Sequence, residues 1–449
     1  MPHLTKNGWE VYDFRKEFAR QGVNSEDKKF RIQQCWDTDD IKNIWDTYPF
    51  EVYVPVKLTP NELISCSKFR AKRRFPALSF YYKGRGTTMW RSAQNQTGMM
   101  SSRCLEDEYM LKLIGKANDF QSNVAIYDAR SQIKAYSNRV KGGGYENTDY
   151  YSNCTIEFCS IENIFGVIKG YKKLFGMVNS KQKVQDNAKI FTTIDSSSWY
   201  QMIKIILESS NSIARDMHDN RKSVHIHWSD GWDRTAQLCS LTQIILDPYS
   251  RTLEGFEVVI EKEWISFGHS FETRCGHLRD ENTRNVKRSP VFVQFLDWVY
   301  QLIRQFPTCF EFNVNLLCFI AHHVYSWKFG SFLLDTPKYR YQNKLSQKTV
   351  SIWSYVNTNV SQFLNPFYSE FDKKLDVRAD HISLHFWKEY FLQWTPFSST
   401  LDESDNFVKP DPREELLKKV LEENKKLKQQ LASFRSSSTT HGSLHNSHE

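Results

Sequence analysis

The stretch Ser223–Leu238, SVHIHWSDGWDRTAQL, constrains this chain more than any other. Ser223-Val-His-Ile-His227 alternates apolar with polar residues, the period of a short buried strand. From Thr235 the period changes. Leu238, Leu241, Ile244 and Ile245 recur at helical spacing until Asp247-Pro248 stops the run. Between them Trp228 to Arg234 forms a tight loop with Gly231 at its middle. Such a strand–loop–helix makes an anion cradle. Loop and first-turn N–H groups converge on one point, and an arginine at the helix entrance can hold two phosphate oxygens.

The loop SDGWDRT, with a histidine two residues ahead of it, resembles the signature loop of the myotubularins. These are phosphoinositide 3-phosphatases of the cysteine-phosphatase superfamily, whose loop has the form Cys-x5-Arg. The resemblance implies a cysteine nucleophile at position 228, a phosphate clamp at Arg234 and a general acid at Asp233. Ser229, Asp230, Gly231 and Trp232 would line the substrate site, and Arg274 would contact a second phosphate. Two positions depart from the pattern. Residue 228 is tryptophan, whose indole has neither an ionisable thiol nor a lone pair suited to attack on phosphorus. Residue 270 is serine where the family usually carries lysine or arginine, so the expected headgroup site has lost a cation. Asp233 is therefore expected to be a vestigial acid in an inactive site.

The resemblance extends over nearly all of residues 8–400. It continues through KFRAKRRFPALSFYY (68–82), SRCLEDE, YDAR, KGGGYEN, the blocks around RCGH, and SPVFVQFLDWVYQLIRQFP (289–307). Its blocks are most similar to the subgroup of myotubularin-related proteins six to eight. It implies an α/β fold, cysteine-phosphatase-like, with a central mixed sheet flanked by helices. Members usually carry a lipid-binding PH-GRAM domain ahead of this region. The resemblance here begins almost at the recorded start, so such a module is expected to be lost or to lie ahead of it.

Several residues invite other chemistry. The basic cluster Lys68, Arg70, Lys72, Arg73 and Arg74 could suggest nucleic acid, but no stacking module accompanies it, and no nucleic-acid partner is expected. Gly142-Gly143-Gly144 is no nucleotide loop; it reads as a turn allowing close backbone approach. Arg139 and Lys141 beside it are candidate headgroup contacts. His322-His323 point about 100° apart on a helix and make a poor metal pair, and no zinc-ligand spacing occurs. Cys275 and His277 read as structural. No metal or other cofactor is expected. Phe292, Phe295, Leu296, Val299, Leu302 and Ile303 keep to one helical face, a core stripe.

The nine cysteines lack paired spacing, no signal peptide is expected, and no long apolar run occurs. Together these predict a cytoplasmic protein, peripheral at most on endosomal membranes. A formal charge of +8 suits an anionic partner such as a phosphoinositide membrane surface. After a polar linker at 401–411, residues 412–435 place Leu417, Val420, Asn424, Leu427, Leu431 and Phe434 on a coiled-coil seam. That seam would pair with an active myotubularin or with a second copy. Residues 436–449 form a low-complexity tail expected to be disordered.

Three functions follow. The first is a catalytically inactive myotubularin acting as an adaptor or regulator of active relatives. The second is an active phosphatidylinositol 3-phosphate or 3,5-bisphosphate 3-phosphatase, if codon 228 in truth encodes cysteine. The third is a passive phosphoinositide-binding module.

Overall fold

The computed structural model describes residues 7–24, 26–37, 45–178, 197–277 and 287–393. The expected linker, coiled coil and tail lie outside the described residues. A compact unit closes at Gln393.

Among the described residues, seven strands form two sheets: β1 (Phe30–Gln34), β2 (Glu51–Pro55), β3 (Ala77–Tyr82), β4 (Thr87–Ala93), β5 (Val124–Asp128), β6 (Cys154–Phe158) and β7 (Ser223–Trp228). β1 and β2 make an antiparallel pair, while the main sheet runs in the order β3-β4-β7-β5-β6. Only β3 is antiparallel to its neighbour there, so the sheet is mixed as expected. The stretch 223–228 is the central strand. Its alternation has a simple cause: Val224 and Ile226 enter the apolar core, and His225 and His227 enter a buried polar layer.

The carboxyl ends of the parallel strands align. Ala93 of β4 stands beside Trp228, and Asp128 of β5 beside His227. The loop after β7 thus opens at the crevice where ligands bind in α/β sheets. The helix Arg234–Leu246 follows it and is buried along its whole length, which accounts for its apolar character beyond one stripe.

The segment before Gly22 holds two short helical pieces. Phe14–Gln21 is helical, capped by Asp13 and by Gly22 at φ 99°. Gly8–Glu10 instead forms a separate 3₁₀ turn, and the N–H of Gly8 donates to Ser354 at 2.8 Å. Helix Val291–Gln305 carries the expected stripe but is buried on every side from 291 to 303. Asp297 and Gln301 are satisfied internally, whereas Gln294 Nε2 and Trp298 Nε1 are buried without a partner among the described residues. Asp297 accepts from Trp199 at 2.7 Å and Gln301 at 2.8 Å, and burial pushes its carboxyl up to about 7. The basic run 68–74 is not a continuous face, because Arg70 and Arg74 are buried. No helix among the described residues is long and apolar enough to cross a membrane.

Candidate active site

The loop 228–234 is held from below by arginines that belong to other strands and turns. Arg91 of β4 donates to the carbonyl of Gly231 at 3.0 Å and pairs with buried Glu263 at 2.7 Å. Arg74 reaches the same carbonyl at 3.2 Å and that of Phe267 at 2.8 Å. Gly231 has φ +75°, and a Cβ there would lie 2.3 Å from the carbonyl oxygen of Ser92. Glycine is therefore required both by conformation and by space. On the loop's other side, the N–H of Gln94 donates to the carbonyl of Trp228 at 2.7 Å.

Deeper still lies a cluster of buried charges. Arg70 makes a two-pronged pair with Asp107 at 2.8 and 2.6 Å, and its remaining nitrogen reaches Glu146 at 2.7 Å. Glu146 in turn holds His227 Nε2 at 2.9 Å, directly before position 228. Tyr151 donates its hydroxyl to Asp107 at 2.7 Å. All of these side chains are almost wholly withdrawn from water.

At the mouth, the loop's charged residues are already engaged. Asp233 is gripped by Arg274 through both oxygens, at 3.0 and 2.8 Å, and lies 3.1 Å from His269 Nδ1. Burial alone would raise its carboxyl, but Arg274 and His269 overturn that and hold it well below the usual carboxylate range. Asp233 is thus an ionised acceptor, and proton donation would first require release of Arg274. Asp230 behaves oppositely. Burial, then the charge of Asp233, pushes its carboxyl up, so it is the loop acid nearer to carrying a proton.

Arg234 points two of its nitrogens at the main-chain carbonyl of Glu162: Nε donates at 2.6 Å, and Nη2 donates to the same oxygen. Burial brings its guanidinium down to about 10. Its carbon lies 5.5 Å from the centre of the Trp228 ring, within range of a cation–π contact. Nη1 of Arg234 is buried without a protein partner among the described residues. The main-chain N–H groups of Ser229 to Arg234 likewise donate to no other described residue. The donors of an anion cradle are therefore present and unspent, with an indole beside them where a nucleophile would stand.

The structure brings residues 228–234 and Arg274 into one site. Ser270 adjoins it as the residue preceding the short helix Phe271–Cys275 that carries Arg274. Sequence patterns assigned no role at this site to Glu162, His269, Arg74, Arg91 or Glu146. Glu146 does lie in the KGGGYEN block, and His269 one residue before Ser270. The glycine run packs as a close-approach turn, with a Cβ on Gly144 falling 1.7 Å from Thr97 Oγ1. Arg139 is committed elsewhere, to the carbonyl of Gly98 at 3.1 Å and the hydroxyl of Ser101. Lys141 is exposed. His277 Nε2 faces the carbonyl of Val324 at 2.8 Å, a structural contact.

A parallel-stranded sheet, a phosphate-sized loop at its carboxyl edge and an arginine at the following helix define a phosphatase-type α/β domain. A family model described as the myotubularin-like phosphatase domain matches residues 1–341. The chain belongs to the myotubularin family. It is 38% identical to myotubularin of Xenopus laevis over 393 residues, 87% of this chain and 64% of that protein. It is 40% identical over 379 residues to the human phosphatidylinositol-3-phosphate phosphatase MTMR7, covering 84% of this chain and 54% of that one. It is 39% identical over 401 residues to the mouse phosphatidylinositol-3,5-bisphosphate 3-phosphatase MTMR2, covering 87% and 60%. The chain thus spans somewhat over half the length of these relatives. Identities this similar do not single out the subgroup of related proteins six to eight.

Proposed function

We propose that this chain is a catalytically inactive myotubularin that serves as an adaptor or regulator of an active phosphoinositide 3-phosphatase at cytoplasmic, endosomal membranes. One observation carries the reading. Trp228 occupies the nucleophile position, and its ring stands against Arg234, whose guanidinium is turned onto Glu162. Covalent catalysis on phosphorus needs a thiolate there, and the indole supplies none. The lipid handled by the active partner would be of the class named for MTMR7 or MTMR2. Under this reading Arg234 and Asp233 are retained as loop struts, and Arg274 is the counter-ion that keeps the loop closed.

The purified chain is expected to release no phosphate from phosphatidylinositol 3-phosphate above background. Turnover that disappears on Arg234→Ala while Trp228 remains in place would overturn the proposal. The adaptor half rests on residues 412–435. A chain ending at Asp411 should keep its folded domain and lose co-purification with active myotubularins, as should Leu427→Pro in the full chain. Equal partners and equal solution mass in all three forms would remove the pairing mechanism.

The third reading keeps one specific support. The unspent loop N–H groups and Nη1 of Arg234 could hold a phosphate that tolerates the indole. It differs from the first in requiring measurable vanadate or phosphate binding by the unaltered chain.

A further inference from the structure

Beside the mouth of the site, two segments raise apolar side chains into solvent. The helix Gln132–Asn138 and the 3₁₀ turn Arg139–Lys141 after it carry Ile133, Tyr136 and Val140 at helical spacing on one face. Their exposures are 83%, 56% and 71%, whereas Ala135 on the inner face is buried. Against this turn lies the loop after β4, whose Met99 and Met100 are 61% and 93% exposed. The two segments are tied together. Gly98 N–H donates to the carbonyl of Gly143 at 3.1 Å, and Arg139 donates to the carbonyl of Gly98 at 3.1 Å. Phe165 is 62% exposed as well. It follows Glu162, whose carboxylate pairs with Lys134 at 3.0 Å and whose carbonyl receives Arg234.

Large exposed apolar groups gathered on one rim require an explanation, unlike single ones. The charges around them narrow the choice. Lys72, Arg73, Lys141, Lys287 and Arg288 are exposed, and Lys72 and Lys287 lie close enough to Asp230 to act on its carboxyl. Glu162, the acid between the apolar groups, is already paired with Lys134. Apolar knobs within a basic surround match an anionic lipid surface, where the side chains enter between headgroups and the cations meet lipid phosphates and carboxylates.

We propose that this rim is a membrane-docking surface for anionic lipid, with Met99, Met100, Ile133, Tyr136 and Val140 as its inserting residues. The surface lies outside the loop 228–234 and does not depend on the state of Trp228. It would hold the chain on a bilayer containing no phosphoinositide at all. This goes beyond the adaptor reading, which places the chain at a membrane without assigning the surface that holds it there.

The test uses the full chain and sedimented vesicles of phosphatidylcholine alone or mixed with phosphatidylserine. Binding is expected to the mixed vesicles over the neutral ones and to weaken as salt is raised. The pair Ile133→Glu and Val140→Glu should reduce it roughly tenfold or more, and Met100→Glu should reduce it severalfold. Ile382→Glu, an apolar residue 94% exposed in another segment, serves as the control and should leave binding unchanged. Thermal melting of each variant separates docking from folding, and Met100→Glu stands in if the helix pair is destabilised. Equal binding by all variants overturns the proposal, as does equal loss in the Ile382→Glu control. So does failure to bind anionic vesicles. If Ile133→Glu instead lowers the solution mass of a self-associating chain, a second copy is the occupant and the lipid assignment falls. The phosphate-release assay does not enter any of these outcomes, so the adaptor reading stands or falls separately.

Discussion

Trp228→Cys is expected to turn the chain into a working phosphatase on phosphatidylinositol 3-phosphate, at least ~10³-fold above the unaltered chain. The supporting parts are already in place. Gly231 is fixed by Arg74 and Arg91, and the loop N–H groups have no other described partner. Removal of the indole also frees Arg234 from its ring contact, so the guanidinium can swing from Glu162 onto a phosphate. A new thiol at 228 would lie at the end of β7, among N–H dipoles and beside Arg234, surroundings that favour the thiolate. The doubly phosphorylated lipid should react more slowly than the singly phosphorylated one. Ser270 supplies no cation for its second phosphate, and Arg274 is held by Asp233. Trp228→Ala is the matched control: it should gain vanadate binding without turnover. A Trp228→Cys chain that melts normally yet neither turns over lipid nor binds vanadate would show that the loop has decayed beyond one residue.

The same loop shows how far a sequence alone can carry such a reading. The strand 223–228, the turn at Gly231 and the helix ending at Leu246 were legible because each depends on neighbours in the chain. Alternation, glycine and helical spacing are local signals. What holds the loop was not legible, because its partners come from far away. Arg91 reaches Gly231 from β4, and Arg274 reaches Asp233 across 41 positions. No local pattern marks Glu162, which acts through its main-chain carbonyl and would serve equally with another side chain. The basic run 68–74 illustrates the opposite error. Five like charges in sequence suggest a surface, yet Arg70 and Arg74 turn inward because carboxylates or carbonyls wait there. The stripe on Val291–Gln305 was seen, but burial on its remaining faces was not, since Gln294, Asp297 and Gln301 look like solvated residues until their partners are known.

Arg70→Ala is expected to destabilise the fold by about 3–5 kcal/mol, the usual cost of leaving buried charges without their partner. Arg70 bridges Asp107 and Glu146, and all three side chains are withdrawn from water, so its loss leaves both carboxylates buried without that cation. Replacing one acid should cost less. Glu146→Gln keeps a hydrogen-bonding group toward Arg70 and His227, and a loss of about 1–3 kcal/mol is expected. Acid sensitivity gives a second readout with a definite sign. Burial alone would raise the Glu146 carboxyl, but His227 and Arg70 hold it well below its ordinary value. A depressed folded-state value means its contribution is present above the ordinary carboxylate range and lost as pH falls through the folded value. Without Arg70 that loss should begin at higher pH. Denaturant unfolding near neutrality and at mildly acid pH measures both effects. An Arg70→Ala chain within about 1 kcal/mol of the parent at both values would mean the cluster is not a closed set of charges. The consequence reaches the site, because Glu146 holds His227 and His227 sets the backbone on which residue 228 stands. In the Trp228→Cys background, Glu146→Gln should therefore lower turnover while the chain remains folded, since the loop would lose its floor and keep its walls.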